Sequence, residues 1–317
     1  MPFVLVLNSS NVSGIYNTNY TYRFINGSFE IPENSEMCIS SVTLPYSWYN
    51  VNNLLYNNNT FSYNYPNTTG GFTNYQIVLQ NGFYQVSDIN NAIQLFMFQN
   101  GQYIKNTAGQ IFYFINLLTD QTFYTNQFIL NIVPTTVNAS TYYGAGAVIA
   151  NGLYPTVQSC CQVVVPTGNV STWFGSLIGY LPNTYPLNTV YPVLPSGTLS
   201  ATNYSTNTLG NTTPNLTPVN SLIISCNLVD NNISIPSNIL DSFNINATYG
   251  SNITYNANFE KFVSLVNGRY QNMTLTLLDQ NGNAIQANDP NVLITLIIKL
   301  GKKKLLTYKL NEHLESK

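Results

Sequence analysis

Short runs of alternating or β-branched residues recur along the whole chain, and turn-forming residues separate them. Alternation with a period of two places every second side chain on the same face of a strand, so each run predicts a strand with one buried face. Because these runs cover most of the chain, few segments are left that could form helices. The predicted strands are Phe3–Leu7, Tyr20–Ile31, Met37–Leu44, Thr60–Tyr65, Tyr75–Leu79, Ile111–Leu117, Phe123–Ile132, Gln162–Val165, Ser221–Leu228, Ile239–Thr248, Phe262–Leu265, Met273–Leu278 and Val292–Leu300.

Many short strands with almost no helix favour a sandwich or jelly roll, in which two antiparallel sheets bury alternate residues between them. Hydrophobic residues make up 44% of the 317 residues, which is enough to build such a core. Asn281-Gly282 also matches the residue preference of a type I′ hairpin turn. We therefore predict an all-β fold, a jelly-roll sandwich of two antiparallel sheets.

The segment Asn81–Gly101 has the periodicity of a helix instead of a strand. Ile89, Ile93 and Phe96 recur at helical spacing and form one apolar face. This pattern predicts one short amphipathic helix over about residues 87–98. Because strands otherwise dominate the chain, we interpret the helix as a cover for an exposed sheet edge.

The ends of this helix are also predicted from local chemistry. Ser87 is a suitable N-cap, because its hydroxyl can accept a hydrogen bond from a backbone N–H of the first turn. Asp88 suits the positive end of the helix dipole, and Gly101 is a natural stop.

The composition of the chain changes near residue 133. Residues 133–219 are rich in Gly, Pro, Thr and Asn, their strand signals are weak, and Ser171–Leu181 predicts a short helix. The region is either an inserted lobe of loops and short strands or a set of long loops at one end of the sandwich. We assign residues 1–132 and 220–300 to the jelly-roll domain, 133–219 to an insertion or upper lobe, and 301–317 to a basic C-terminal tail.

Charged residues are scarce and unevenly placed. They make up 7% of the chain, against roughly 25% in ordinary soluble domains, and none lies between Asp120 and Asp230. His313 is the only histidine, so a catalytic triad or a His-based metal site would have to use it. The sequence therefore predicts no catalytic residues, no cofactor, no metal site and no enzyme activity.

Asp279 and Asp289 are close in sequence, and a pair of carboxylates can serve a glycosidase. Each of them, however, lies beside turn-forming residues, and Asp commonly caps turns through its side chain. We interpret both as turn-capping residues.

The four cysteines are Cys38, Cys160, Cys161 and Cys226. They lack the CxxC spacing of zinc sites, and neighbouring cysteines rarely pair with each other. We predict buried, reduced thiols. The first residues lack the features of a secretory signal, and no apolar run approaches the roughly 20 residues of a membrane-spanning helix.

Two features leave alternatives open. The 24 Tyr and 16 Phe suit either a sugar-binding surface or packing in cores and protein interfaces, and we favour packing. Six of the ten Lys and Arg lie in Lys299–Lys317. Within this segment Lys302, Lys303 and Lys304 either contact nucleic acid, anionic lipid or an acidic neighbour, or are simply solvated.

Several blocks of the sequence occur in the order seen in a known family. They are "FVLVLNSSNV", "YTYRFINGSFEIPENSEMCISSVTLPYSWYNV", "NNTFSYNY", "NGFYQVSDINNAIQLFMFQNGQYI", "WFGSLIGYLPNTYP" and "YQNMTLTLLDQNGNAIQANDPNVLITLIIK". In these blocks the chain resembles the penton, or minor capsid, proteins of Sputnik-type virophages and related polinton-like viruses. The match is weakest in residues 133–219.

The resemblance implies an upright jelly roll that forms a homo-pentamer at the five-fold vertices of an icosahedral capsid. It implies contacts with trimers of a separate major capsid protein, and no small-molecule substrate. The protein would be synthesised in the host cytoplasm or viral factory and be located in the virion. Both termini would face the capsid interior, where Lys302–Lys304 would contact viral DNA, an internal membrane or an adjoining trimer.

Two other functions remain as alternatives. One is a cement-type minor capsid protein that lies between trimers instead of at vertices. The other is a soluble β-sandwich adhesin or glycan-binding module.

Overall fold

The computed structural model describes residues 2–167, 173–187 and 205–301, without the side chains of residues 205–207. These residues form 23 strands, three α-helices and one turn of 3₁₀ helix at Ser9–Asn11. The helices are α1 (Val86–Gln99), α2 (Ala139–Tyr143) and α3 (Phe174–Ile178).

The strands are short and are distributed over the whole chain. They are β1 (Pro2–Asn8), β2 (Val12–Ser13), β3 (Asn19–Arg23), β4 (Phe29–Ile31), β5 (Glu36–Pro45), β6 (Thr60–Pro66), β7 (Phe72–Val78), β8 (Tyr103–Lys105), β9 (Ile111–Tyr113), β10 (Ile115–Asp120), β11 (Thr125–Val133), β12 (Val148–Ile149), β13 (Ser159–Cys160), β14 (Gln162–Val165), β15 (Asn183–Tyr185), β16 (Ser205–Leu209), β17 (Ser221–Cys226), β18 (Ile239–Asn244), β19 (Asn252–Asn256), β20 (Val263–Ser264), β21 (Gly268–Tyr270), β22 (Asn272–Asp279) and β23 (Leu293–Lys299).

The chain divides into two compact units. One contains the described residues up to Trp48 and from Val219 onward, and the other contains those of Tyr49–Pro218. The composition of the chain predicted the first boundary near residue 133 instead. The difference has a physical cause: β6 and β11, which end at or before residue 133, pair with β14, β13 and β16, which follow it. These strand pairings join residues 49–132 to the region after residue 133, so both parts belong to one unit.

The strand order of the first unit is that of a jelly roll. One sheet has the order β1–β23–β5–β19, with β20 also pairing with β5, and the other has the order β18–β17–β22–β3–β2. The last strand returns to pair with the first, and all these pairs are antiparallel. Each sheet therefore has five strands, and two antiparallel sheets joined in this order form a jelly roll. The predicted fold class is confirmed, and we call this part the jelly-roll unit.

Alternation within the strands supplies the core of the jelly-roll unit. Ile294, Leu296 and Ile298 of β23 are buried, whereas the residues between them are only partly buried. In the second sheet Leu275 and its two alternate neighbours on β22 are fully buried. Burying one such side chain stabilises the fold by about 1.5–3 kcal/mol.

The chain leaves the jelly-roll unit after β5 and re-enters it at β17. We call Tyr49–Pro218 the inserted unit. Its described strands form three sheets, with the orders β15–β14–β6–β7, β10–β11–β13 and β12–β8–β9, and β16 also pairs with β11. All three helices contribute to one hydrophobic core; the α3 residue Phe174, for example, stacks on Phe61 with ring centroids 4.1 Å apart.

Helix α1 forms where the sequence predicted it, but its N-cap differs. The N-cap residue is Gln85, so the prediction of Ser87 was wrong. The Asp88 carboxylate accepts a hydrogen bond from the backbone N–H of Gln85 at 2.8 Å. A carboxylate in the first turn satisfies a free N–H and also favours the helix dipole, so Asp88 stabilises the helix in two ways.

The buried face of α1 is close to the predicted face. Ile89 and Ile93 are fully buried, as expected, and Met97 continues this face, whereas Phe96 is partly buried. The spacing of i, i+4 and i+8 keeps the three buried side chains on one stripe. The helix ends before Gly101, whose φ of 65° is in the left-handed region that favours glycine.

Helix α1 covers a sheet edge, as predicted, but the sheet belongs to the inserted unit. The covered edge strand is β10. Asn90 accepts a hydrogen bond from the backbone N–H of Leu117 at 2.8 Å, and Gln94 donates one to the side chain of Asn116 at 2.9 Å. The helix thus pairs a polar group that an open strand edge would otherwise expose.

Candidate interaction surface

The cysteines occupy the core positions that the sequence predicted. All four are buried and reduced, with Cys38 and Cys226 in the jelly-roll unit and Cys160 and Cys161 in the inserted unit. Burial raises the pKa of the Cys226 thiol to about 12 and also raises the pKa of Cys161 well above its usual value. The thiolate is the reactive form of cysteine, and a raised pKa keeps these two thiols protonated, so they are poor nucleophiles.

We expect a thiol reagent such as Ellman's reagent to label none of the four cysteines in the folded protein. All four should react once the chain is unfolded in denaturant, because unfolding removes both the steric protection and the pKa shift. A time course of absorbance in native buffer and in denaturant measures this directly. Rapid labelling of one cysteine in native buffer would contradict the buried placement.

The two candidate carboxylates act as turn caps, as predicted. Asp279 accepts hydrogen bonds from the backbone N–H groups of Asn281 and Asn283, both at 2.8 Å. Asp289 accepts one from the N–H of Asn291 at 2.9 Å. The predicted type I′ turn was wrong, because Gly282 has a positive φ of 79° but Asn281 does not.

Asp241 is the one buried charged residue in the described part of the chain. It accepts a hydrogen bond from the Tyr255 hydroxyl at 2.8 Å and forms an ion pair with Lys261 at 3.2 Å. Partial burial lowers the pKa of Lys261, but the hydrogen bond and the charge of Asp241 outweigh it and raise that pKa overall. Both carboxylate oxygens therefore have partners within the fold.

The described residues contain neither a cluster of metal-ligating side chains nor a membrane-spanning helix. No group of three or more His, Cys, Asp or Glu among them lies close enough to hold a metal ion. None of the described helices combines the length and apolar character needed to cross a bilayer. Lys302, Lys303, Lys304 and His313 lie outside the described residues.

An apolar groove of about 280 Å³ opens on the jelly-roll unit. Phe24 stacks on Phe29 with ring centroids 5.1 Å apart, and Phe3 meets Phe29 edge-on at 6.0 Å. Val4 on the edge strand β1 and Ile25, which is 90% exposed, also line it. We call this feature the aromatic groove. Exposed apolar side chains beside a groove make this surface a candidate for protein–protein contact.

A second apolar feature projects from the loop between β17 and β18. Ile233 is 97% exposed and Ile235 is 99% exposed. The loop is closed by backbone hydrogen bonds from Asn231 to Ser237 at 2.6 Å and from Ser234 to Asn231 at 3.1 Å. We call it the isoleucine loop. Two almost fully exposed isoleucines on a hydrogen-bonded loop form a preorganised apolar knob.

The aromatic groove and the isoleucine loop lie at the same end of the jelly roll. Arg23, at the end of β3 next to the groove, pairs with Asn272 at the start of β22. Leu275 of the same strand pairs with Cys226, where β17 ends and the isoleucine loop begins. One end of the unit therefore carries both an apolar concavity and an apolar projection.

Neither feature was predicted from the sequence. Ile233 and Ile235 stand in "NNISIPSN", among residues that form turns, and this context was a usable signal because isoleucine is rare in exposed turns. Phe24 and Phe29 fall inside a predicted strand, where aromatic residues indicate a core. Nothing in the pattern distinguishes an exposed groove from that core.

Two solved structures match nearly the whole chain. The crystal structure of the mavirus penton protein is 11% identical, with a TM-score of 0.42, and the match covers 95% of this chain and 100% of that one. A chain in the cryo-electron-microscopy structure of the Sputnik virophage is 10% identical, with a TM-score of 0.38, and the match covers 94% and 97% respectively. No family model and no curated protein matches the sequence. The jelly-roll assignment rests on the strand order of this chain.

Proposed function

We propose that the protein is a structural subunit of an icosahedral viral capsid, which forms homo-pentamers at the five-fold vertices and contacts trimers of the major capsid protein. The sequence blocks that resemble penton proteins support this function, as does the jelly-roll strand order. The carrying observation is the presence of two different exposed apolar features, the aromatic groove and the isoleucine loop, on one unit.

In the proposed pentamer the isoleucine loop of one copy docks into the aromatic groove of the next. A contact between two different patches is heterologous, and heterologous contacts close into a ring when the rotation between copies allows it. Burying Ile233 and Ile235 stabilises each such contact by about 1.5–3 kcal/mol per side chain. The contact repeats once per subunit, so its contribution accumulates around the ring.

The proposed orientation places the terminal end of the jelly roll toward the capsid interior. Pro2 of β1 pairs with Lys299 of β23, so the first strand starts where the last strand ends. The basic residues Lys302–Lys304 follow three positions later in the sequence. We propose that they contact viral DNA, an internal membrane or an adjoining trimer, and that the protein functions in the virion without catalysing a reaction.

Particles reconstituted from major capsid trimers and this protein test the proposal. We expect the full chain to occupy the vertices and a chain truncated after Leu300 to occupy them less completely, because the truncation removes the basic segment. Vertex density in cryo-electron-microscopy reconstructions measures the occupancy. Equal occupancy and particle stability for both chains would contradict the role of the basic segment; density between trimers instead of at vertices would contradict the vertex position.

A further inference from the structure

A cavity of about 300 Å³ lies within the inserted unit, beside the hairpin that joins β10 to β11. This volume is at the lower end of the range for small-molecule pockets, about 300–1,000 Å³, and suits a ligand with a single ring. The wall has an amphiphilic character. Its principal residues are Asp120, Gln121 and Tyr124 on the hairpin and Pro214, Leu216 and Thr217 opposite them.

Tyr124 has a backbone conformation that its residue type disfavours. Its φ is 51°, in the left-handed region where Gly and Asn are common and bulky residues are rare. The chain contains 49 Asn, yet a tyrosine occupies this position, and its side chain is 77% exposed beside the cavity. Strained residues of this kind cluster at binding sites, where the surrounding structure holds them.

Two residues of the cavity wall have side chains that are enclosed by the fold. Thr125 and Asn126 line the cavity, and both side chains are more than nine-tenths buried. Asn126 donates a hydrogen bond to the carbonyl of Ile178 at 2.9 Å, but its Oδ1 has no partner among the described residues. The Oγ1 of Thr125 likewise has none among them. Both oxygens have almost no accessible surface, and Thr125 Oγ1 lies against Gly210, so the polar groups that face the open cavity are those of Asp120, Gln121 and Thr217.

The charge of the inserted unit limits what the ligand can be. Asp88, Lys105 and Asp120 are its only charged residues in the sequence, and Asp120 is the only one that lines the cavity. A phosphorylated or carboxylated ligand would therefore meet a negative charge and no positive one. The ring of Tyr124 with Pro214 and Leu216 offers an apolar face, while amides, hydroxyls and the carboxylate of Asp120 offer hydrogen bonds.

We propose that this cavity binds one neutral pyranose ring. The C–H face of the sugar packs against Tyr124 and the apolar wall, and its hydroxyls bond to Asp120, Gln121 and Thr217. The cavity is open to solvent, so the ring can be free or can terminate a longer glycan. This gives the inserted unit a binding function that is separate from assembly.

Ligand-observed saturation-transfer NMR on the purified full chain tests the proposal. The probes are methyl glycosides of glucose, galactose, mannose, N-acetylglucosamine and the amine glucosamine, together with a short oligosaccharide of whichever sugar binds. We expect at least one probe to bind with a dissociation constant of about 1 mM. If the oligosaccharide binds more tightly than the single sugar, the ligand is the end of a glycan. If the two bind equally, the ligand is the free sugar.

The variant Tyr124→Asn separates binding from folding. Asn tolerates the left-handed conformation, so the fold should be retained, while loss of the aromatic face should weaken binding by about tenfold or more. Phe123→Asn is the matched control: Phe123 is exposed on the same hairpin but does not line the cavity, and binding should be unchanged.

Three results would overturn the proposal. One is the absence of saturation transfer to every neutral probe. Another is equal binding by the wild type and Tyr124→Asn. The third is binding of glucosamine alone, because that would show that Asp120 recruits an amine and that the cavity does not recognise a neutral ring.

Discussion

The double variant Ile233→Asp/Ile235→Asp is expected to be a folded monomer under conditions in which the wild-type protein forms a pentamer. Both side chains are almost fully exposed in the single chain, so their replacement costs the fold little. In the proposed pentamer they lie in the aromatic groove of the next copy, where two carboxylates would have to give up their hydration against an apolar wall. Size-exclusion chromatography with light scattering measures the mass, and circular dichroism checks the fold.

Two single variants sharpen this test. Asn232→Asp adds a carboxylate to the same exposed loop without changing either isoleucine, and it should leave the pentamer intact. Ile25→Asp places a carboxylate in the groove and should abolish assembly from the other side of the contact. If the double variant still forms the wild-type assembly, or if Asn232→Asp dissociates it equally, the loop-in-groove contact is refuted.

The substitution Leu296→Ala is expected to lower the free energy of unfolding of the jelly-roll unit by about 3 kcal/mol. Leu296 is fully buried on β23, the strand that joins β1 to β5 in the first sheet. Its removal leaves a cavity between close-packed sheets, so both the transfer free energy and the packing contacts are lost.

Two features of the chain make this prediction specific. Leu293→Ala is a control on the same strand, because Leu293 is 47% exposed and its truncation should cost less than about 1 kcal/mol. Cys38 and Cys226 report on the jelly-roll unit alone, since Cys160 and Cys161 belong to the other unit. Labelling of the first pair against denaturant concentration, read by mass spectrometry, gives the unfolding free energy. Equal effects of the two substitutions would contradict the assigned core.

The strands were predictable because burial follows alternation so closely in this chain. Residues 293–299 alternate between buried and partly exposed along β23, and the sequence shows the same alternation. Local turns caused the errors at strand ends. The predicted strand Tyr20–Ile31 is divided into β3 and β4, because Gly27 adopts a φ of 75° between them. Such a turn depends on a single glycine inside an otherwise strand-like run.

The division into units was harder to predict because it depends on which strands pair. Residues 60–66 and 162–165 are each clear strands by pattern, but nothing local to either shows that β6 and β14 are neighbours. Composition changed near residue 133, whereas the compact unit begins at residue 49. The change of composition therefore marks the region with the weakest strand signals. It does not mark residue 49, where the unit that contains this region begins.

The candidate surfaces were not predictable for a related reason. An isoleucine in a turn and an isoleucine in a strand look alike in composition, and only the folded chain shows that Ile233 is exposed and Ile294 is buried. Tyr124 becomes unusual only when its backbone angle is known. The sequence did predict which interactions these surfaces would lack. Because charged residues are so scarce, contacts made by the surfaces of this protein must use apolar and neutral polar groups.

The mass of the assembly formed by the unmodified, purified protein tests the central claim most directly. Native mass spectrometry at micromolar concentration should show five copies of the chain, because the groove and the loop of each copy are used once in a closed ring. A protein that stays strictly monomeric under these conditions, with both apolar features uncovered, would contradict the claim that it is a pentameric capsid subunit.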